Sequence, residues 1–289
     1  MPYAPHEDTM LEAPYPFEIE SPVTVPPAVD RSHRSVLWGE MTWEEAREHL
    51  ALTDVALLPV GAIEQHGPHL PLDTDAFDAN YLAQRVAEAC THPQPLVLPL
   101  IPYGISYHHR DFEGTVSIDN ATLSSLVYDI GISVARQGIR KLLIINGHGG
   151  NTPALSNAAQ MIHRDSGILV LVDTGESSDV DITEVTRTPG DVHAGEIETS
   201  TSLAVRPHLV KTSRLTPSVP AFDSRYLDFS SRRGVSWYAF TSQISDSGVM
   251  GDPTRASAEK GLRIWGIMTA HLVALVEDIK QLPLNRHNG

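Results

Sequence analysis

The chain has a single cysteine, Cys90, in 289 residues. An internal disulfide is therefore impossible, and a zinc site built on several cysteines is excluded. Cys90 reads as a small apolar residue at a helix end. No apolar run is long enough to span a bilayer. Basic residues are few: 21 Lys and Arg stand against 36 Asp and Glu, for a formal net charge of −15. That balance argues against nucleic acid or an anionic membrane as a partner. The N-terminal stretch "MPYAPHEDTMLEAPYPFEIE" lacks a basic start and an apolar segment, so it is not read as a secretory signal. The cytoplasm is the expected location.

Apolar residues make up 41% of the chain, enough for a large core, and histidine is abundant at 14. Residues 1–35 carry seven prolines and little periodicity, which suggests an N-terminal arm or lid. A single domain is expected over 36–289. Within it, "MTWEEAREHL" opens a helix on a Thr42–Glu45 capping box. Aliphatic runs then alternate with amphipathic ones. "VALLPVGAI", "PLVLPLIPYG", "KLLIING" and "ILVLVDT" read as strands. "DAFDANYLAQRVAEAC", "NATLSSLVYDIGISVARQG", "NTPALSNAAQMIHRDSG", "HAGEIETSTSLAVRP" and the long "ASAEKGLRIWGIMTAHLVALVEDIK" read as helices. The pattern predicts a layered α/β/α fold with a largely parallel sheet covered on both faces. From Leu209 to about Pro253 the pattern weakens, as a sheet-edge excursion or a substrate lid would.

Ligands in open α/β sheets gather at the carboxyl ends of strands, and three polar clusters fall there. Glu64, His66 and Asp75 follow the first strand. Glu64 and His66 are two apart, so on extended backbone they share a face, and a carboxylate with an imidazole suits a divalent first-row ion. The two oxygens of Asp75 allow it to bridge two ions. Nearby, His69 suggests a group orienting a ligand, Asp73 a helix cap, and Asp78 an exposed position. The second cluster is His148 in "NGHGGN", where Gly149 and Gly150 let the backbone approach a bound group. The sequence is neither a P-loop nor a serine-hydrolase elbow. The third is "HAGEIETS", with His193, Glu196 and Glu198. The two glutamates point in widely different directions on a helix, so at most one reaches the site, and periodicity does not choose. His193 suits proton transfer near neutral pH, or capping and packing. Arg110 suits an anionic substrate group or plain surface. Trp43, Trp265 and Tyr128 read as packing residues, and His271 as a core or interface histidine. Trp237 and Tyr238 read as pocket walls or an interface.

Taken in order, "VGAIEQHGPHLPLDTD", "PYGISYHHRDFEGTVSI", "INGHGGN", "HAGEIETS" and "GDPTRAS" resemble the creatininase (creatinine amidohydrolase) family over roughly Ser35 to Lys280. The resemblance implies a binuclear centre of zinc, zinc with manganese, or iron, and a homohexamer. It assigns Glu64 and His148 to one ion, His66 to the other and Asp75 to the bridge. It places Ser106 at the substrate, and His193 in proton transfer. Members acting on creatinine have a ligand glutamate where this chain has Gly150, with a tyrosine at the place of Gly149, and they line the pocket with tryptophans absent here. The fifth ligand is then expected to be Glu198, which aligns with the family's "ETS" glutamate, while Glu196 is left as a possible proton carrier beside His193.

The expected activity is hydrolysis of a C–N amide bond in a small or cyclic substrate other than creatinine, through a metal-bridging hydroxide. Formamides, peptides and cyclic polyol ketones are the alternative substrates. A metal-binding scaffold without catalysis is the alternative of another class.

Overall fold

The computed structural model describes residues 35–175, 179–222, 224 and 237–283. The proposed N-terminal arm and most of "DSRYLDFSSRRGVSWYAFTSQ" lie outside the described residues. Four strands form one sheet: β1 (Val55–Val60), β2 (Leu96–Val97), β3 (Lys141–Asn146) and β4 (Leu169–Asp173), in the order β2-β1-β3-β4. All pairings are parallel. A parallel sheet is covered on both faces, which is why β1 and β3 are aliphatic throughout rather than alternating.

The alternation instead sorts which helices each strand residue meets. Ala56, Leu58 and Val60 of β1, with Leu142 and Ile144 of β3, pack against α3 (Asn120–Arg136) and α4 (Thr152–Ser166). Val55, Leu57, Leu143 and Ile145 face α2 (Thr74–Ala89) and α7 (Ala258–Gln281) on the other side. The layered α/β/α arrangement is thus present. Near the chain start, α1 (Trp43–Leu50) begins on the Thr42–Glu45 capping box, and α4 ends on Gly167 at φ 70°. Two short additions complete the described fold: α5 (Asp179–Val185), which the sequence pattern did not reveal, and α6 (Glu196–Val205). "PLVLPLIPYG" contributes only two strand residues. No helix among the described residues is long and apolar enough to cross a membrane.

What positions the site is the end of the sheet. Val60 and Asn146 are register partners, so the segments after β1 and β3 leave side by side. Gly61 and Gly147 stand at these exits. A Cβ on Gly61 would lie 2.3 Å from Ala76 Cα, and one on Gly147 would lie 2.4 Å from the Asp75 carbonyl oxygen. Both residues must be glycine for the first turn of α2 to pack this closely, and that packing sets Asp75 between the two strand ends. Asn151 ties the same region together. Its Oδ1 accepts from Ile105 N at 2.9 Å and its Nδ2 donates to the Gly61 carbonyl at 3.0 Å.

Several side-chain expectations are corrected here. Trp43 is 71% exposed, with the Arg47 guanidinium 5.0 Å from its ring centroid, and is not a packing residue. Trp265, by contrast, is the buried packing residue expected, and its indole donates to the Thr201 carbonyl. Asp73 does not cap α2 with its side chain. It takes both carboxylate oxygens to Arg206 Nη1, at 2.8 and 2.9 Å, while that guanidinium covers Phe77. Asp78 is turned inward: Oδ1 is buried without a donor and Oδ2 accepts from Thr201 Oγ1 at 3.3 Å. His271 pairs with Asp181 at 2.6 Å.

Candidate metal centre

After β1 the chain loops back on itself, with Glu64 N donating to the Leu72 carbonyl at 3.0 Å and Leu70 N to the His66 carbonyl at 3.3 Å. This return carries Asp75 to the side chains of Glu64 and His66. His66 Nε2 lies 2.9 Å from Asp75 Oδ1. The other oxygen, Asp75 Oδ2, lies 3.1 Å from His148 Nδ1. Glu64 Oε2 faces His148 Nε2 at 3.2 Å, and Glu64 Oε1 faces His109 Nε2 at 3.3 Å and His193 Nδ1 at 3.6 Å. From α6, Glu198 Oε1 reaches within 3.8 Å of His66 Nε2, while its Oε2 accepts from Ala194 N. Ala194 has φ 50°, a left-handed conformation unusual outside glycine, and it turns the chain between His193 and α6.

Three carboxylates and five imidazoles thus converge, in overlapping triads whose ligand atoms lie within 4.8 Å of one another. Among the described residues, no lysine or arginine forms an ion pair with Glu64, Asp75 or Glu198. Glu64 Oε1, Glu64 Oε2 and Asp75 Oδ2 are buried without a well-aligned hydrogen-bond donor. Buried carboxylates left in that state are costly unless a cation joins them. The donor set, oxygen and nitrogen without sulfur, fits zinc, manganese or iron.

The imidazoles respond to the same deficit of positive charge. Burial opposes protonation of His148, but Glu64 and Asp75 overcome it and lift its pKa to about 9. Burial likewise opposes protonation of His66, and Asp75 and Glu198 raise it well above the usual value. The remaining rings go the other way. Burial, then the neighbouring His66, holds His193 at about 4, and burial, then His148, holds His109 at about 3. Burial pushes Asp78 up, and Glu198 and Asp75 push it further.

Gln65 fixes the tautomers of two rings. Its Oε1 accepts from Gly67 N at 2.9 Å, so Nε2 must be the atom facing His109 Nδ1 (2.8 Å), His193 Nε2 (2.9 Å) and the Gly248 carbonyl (3.2 Å). His193 Nε2 also lies 2.8 Å from the Gln65 carbonyl, which can only accept. With two N–H groups, Gln65 Nε2 donates to His109 Nδ1 and to the Gly248 carbonyl, and its approach to His193 Nε2 is not a hydrogen bond. His193 carries its proton on Nε2 and donates to that carbonyl, leaving a lone pair on Nδ1 toward the cluster. His109 accepts from Gln65 on Nδ1 and directs Nε2–H at Glu64.

The description "Creatinine amidohydrolase" belongs to the family model, Creatininase, that matches residues 39–276. The chain belongs to the creatininase family. It is a hydrolase acting on carbon–nitrogen bonds, like the family members it matches. A mycofactocin precursor peptide peptidase of Mycobacterium ulcerans is 36% identical over 254 residues, covering 84% of this chain and 93% of that one. The creatinine amidohydrolase of Pseudomonas putida is 34% identical over 207 residues, covering 65% of this chain and 78% of that one. A crystal structure of creatinine amidohydrolase superposes with TM-score 0.74 at 30% identity, covering 87% of this chain and all of that one. The solved creatininases matched include a mutant of Zn-Zn type and a manganese form.

Within this creatininase frame, the structure gathers Glu64, His66, Asp75, His148, His193 and Glu198. It does not bring Glu196 to them. Glu196 is fully buried elsewhere: Oε1 pairs with Lys260 Nζ at 2.5 Å, and Oε2 accepts from Arg187 N, Thr188 N and Thr188 Oγ1 at 2.7–2.8 Å. A carboxylate so fully engaged has no place as a proton carrier. Gly149 and Gly150 line a groove beside the cluster. Ser106 is fully buried, its hydroxyl without a partner, between the groove-lining Ile105 and Tyr107. His69 is buried and meets Thr199 Oγ1 at 2.9 Å.

The sequence reading missed four residues. His108, His109 and Gln65 sit inside quoted stretches, and their signal was the unusual density of imidazole and amide groups there. Asp191 gave none. Its two oxygens accept from Glu196 N (2.9 Å) and Ile197 N (2.8 Å), capping α6 from outside the helix and fixing the turn that carries His193.

Proposed function

We propose that this protein is a binuclear metal-dependent amidohydrolase that cleaves an amide bond in a substrate much larger than creatinine, with a peptide as the favoured class. The observation that carries the size argument is the groove. It measures about 990 Å³ and runs from His108, Gly149 and Gly150 beside the cluster to Trp237, Tyr238 and Phe240. That is at the upper end of the range for sites holding drug-sized ligands. The peptide peptidase among the similar proteins, matched over 84% of this chain, supports the same class.

Glu64 and His148 would hold one ion, His66 and Glu198 the other, and Asp75, with one oxygen toward each side, would join them. When bound, the ions supply acidification of water and polarisation of the scissile carbonyl. The chain's own groups do the rest. His193, neutral and with its Nδ1 lone pair aimed at the cluster, takes up a proton and returns it to the leaving nitrogen. Its backbone pairs with Met250, which lines the groove, so the proton carrier and the groove wall are fixed to each other. The Gly149–Gly150 turn lets substrate backbone approach without side-chain obstruction. Arg110 lies over the Phe240 ring at 3.9 Å, which ties it to the groove wall. A homohexamer in the cytoplasm is part of the same proposal, and sedimentation of the purified protein tests its size.

The test is a substrate panel on the metal-loaded protein: short peptides and their amides, formamides, creatinine and cyclic polyol ketones. Peptide amides should give the highest kcat/KM, with creatinine at least about a hundredfold lower, a difference of roughly 2.7 kcal/mol in transition-state binding. Creatinine turning over as well as the best peptide would overturn the substrate assignment.

A further inference from the structure

On the two-ion reading above, each ion has two ligands besides the shared Asp75. Beside Asp75, one ion has His66 and Glu198, with His193 Nδ1 close by, while the other has Glu64 and His148. A site of this type commonly takes at least four donors, with one position left for water or substrate. The 3-10 turn Tyr107–His109 brings two imidazoles to the side of Glu64 and His148.

His109 is already committed. Its Nδ1 accepts from Gln65 and its Nε2–H points at Glu64, so it has no lone pair left for a cation. His108 is different. Among the described residues its ring makes no hydrogen bond. It lies parallel to His148, with 1° between the planes and 5.5 Å between centroids. A ring nitrogen of His108 lies within 4.8 Å of ligand atoms of both Glu64 and His148. It is half-buried and forms part of the groove wall.

Gly150 makes this placement possible. A Cβ there would come 2.5 Å from His148 Nε2, 3.1 Å from His108 Cε1 and 2.3 Å from the Ile105 carbonyl oxygen. Any side chain at position 150 would compete for the space that the two parallel rings occupy. The bare glycine and the imidazole therefore belong together: the loop after β3 gives up a side chain, and the 105–109 segment fills the gap.

We propose that His108 is a metal ligand, completing the coordination of the ion held by Glu64 and His148 from the groove side. This makes it the ligand nearest the incoming substrate, and it rests on the two-ion reading of the site.

The test uses the full-length protein loaded with cobalt(II), whose visible absorption reports the number and type of ligands, together with cobalt titration against a chelator. The unaltered protein should bind about two ions. In His108→Ala, one of the two should weaken at least about tenfold, with a changed spectrum, while the other keeps its affinity. Added imidazole should restore the spectrum in His108→Gly by entering the space left. A His108→Ala protein with unchanged affinities and spectrum, beside a Glu64→Gln protein that changes both, overturns the role of His108 and leaves the two-ion site standing. An unaltered protein that takes up no cobalt overturns both. If His108→Ala does not fold, His108→Gln is read by the same two measurements.

Discussion

His66 Nε2 and Asp75 Oδ1 stand 2.9 Å apart, both buried, where the loop after β1 meets the first turn of α2. In water such a pair would contribute little. Here it places a carboxylate at the point where two strand ends and a helix converge, with its second oxygen free to face His148.

Asp75→Ala should therefore remove both ions rather than one. Elemental analysis of the purified variant should fall from about two ions per chain to well below one, and amide turnover should drop by roughly 10³-fold or more, the scale of losing a principal electrostatic contributor. Retention of two ions with full turnover would contradict the bridging role.

The metal-free protein should be most stable near neutral pH. His148 and His66 have raised pKa values, so their contribution is fully present below the unfolded imidazole value of 6.5 and is lost as pH rises, for His148 through about 9. His69, His108, His109 and His193 are depressed, by burial first, to about 3 or 4. Their contribution is present above 6.5 and lost as pH falls toward those values. On the acid side these four imidazoles are joined by the lowered carboxyls of Asp75 and Glu198 and opposed by the raised Asp78 and Asp191, while two imidazoles act on the alkaline side, so Tm of chelator-treated protein should fall more steeply below pH 6.5 than above it. A Tm that rises continuously from pH 7 to pH 4 would be the opposite result. Metal loading should also release up to two protons near pH 7, because His66 and His148 must be neutral to bind. Calorimetric titration in buffers of different ionisation enthalpy reads that number directly.

Much of this was legible in the chain. Continuous aliphatic runs between amphipathic segments announced the parallel sheet, because burial on both faces demands them, and β1 and β3 met that expectation at Val55–Val60 and Lys141–Asn146. Glu64, His66, Asp75 and His148 were legible because carboxylates and imidazoles directly after such strands need a partner. What could not be read was set by contacts between distant segments. The family resemblance pointed to Glu198 rather than Glu196, but the contacts with Lys260, Thr188 and Arg187 that hold Glu196 away from the cluster come from segments no local pattern contains. Asp78 looked like an exposed helix position because the sequence does not show α6 lying over it. His108 and Gln65 acquire their places only when the 105–109 segment and the Gly248 loop close around the strand ends.

Glu196→Ala should act on stability rather than on the site. It would leave the Arg187 and Thr188 donors unpaired and Lys260 Nζ with the Arg255 carbonyl and solvent, and each buried donor left unpaired costs about 1–3 kcal/mol. Thermal melting should show a large fall in Tm, and the fraction that remains folded should still bind two ions. Loss of metal with an unchanged Tm would return Glu196 to the active site.

Gln65→Leu separates orientation from coordination. The amide nitrogen donates to His109 Nδ1 at 2.8 Å and to the Gly248 carbonyl at 3.2 Å and its oxygen accepts from Gly67 N, yet none of its atoms faces a carboxylate of the cluster. Leucine keeps the volume and removes every one of these bonds. Each buried group left unpaired costs about 1–3 kcal/mol, so the protein should be less stable but still fold. His109 would then be free to turn its other nitrogen toward Glu64, while His193 keeps its bond to the backbone carbonyl of residue 65. Metal content should stay near two per chain, because Glu64, His66, Asp75, His148 and Glu198 are untouched. kcat should fall about 10–100-fold, the usual cost of losing a group that orients a site from behind its ligands. KM should move little, since Gln65 does not line the groove. Metal loss in step with kcat would instead show that Gln65 shapes the ligand set itself.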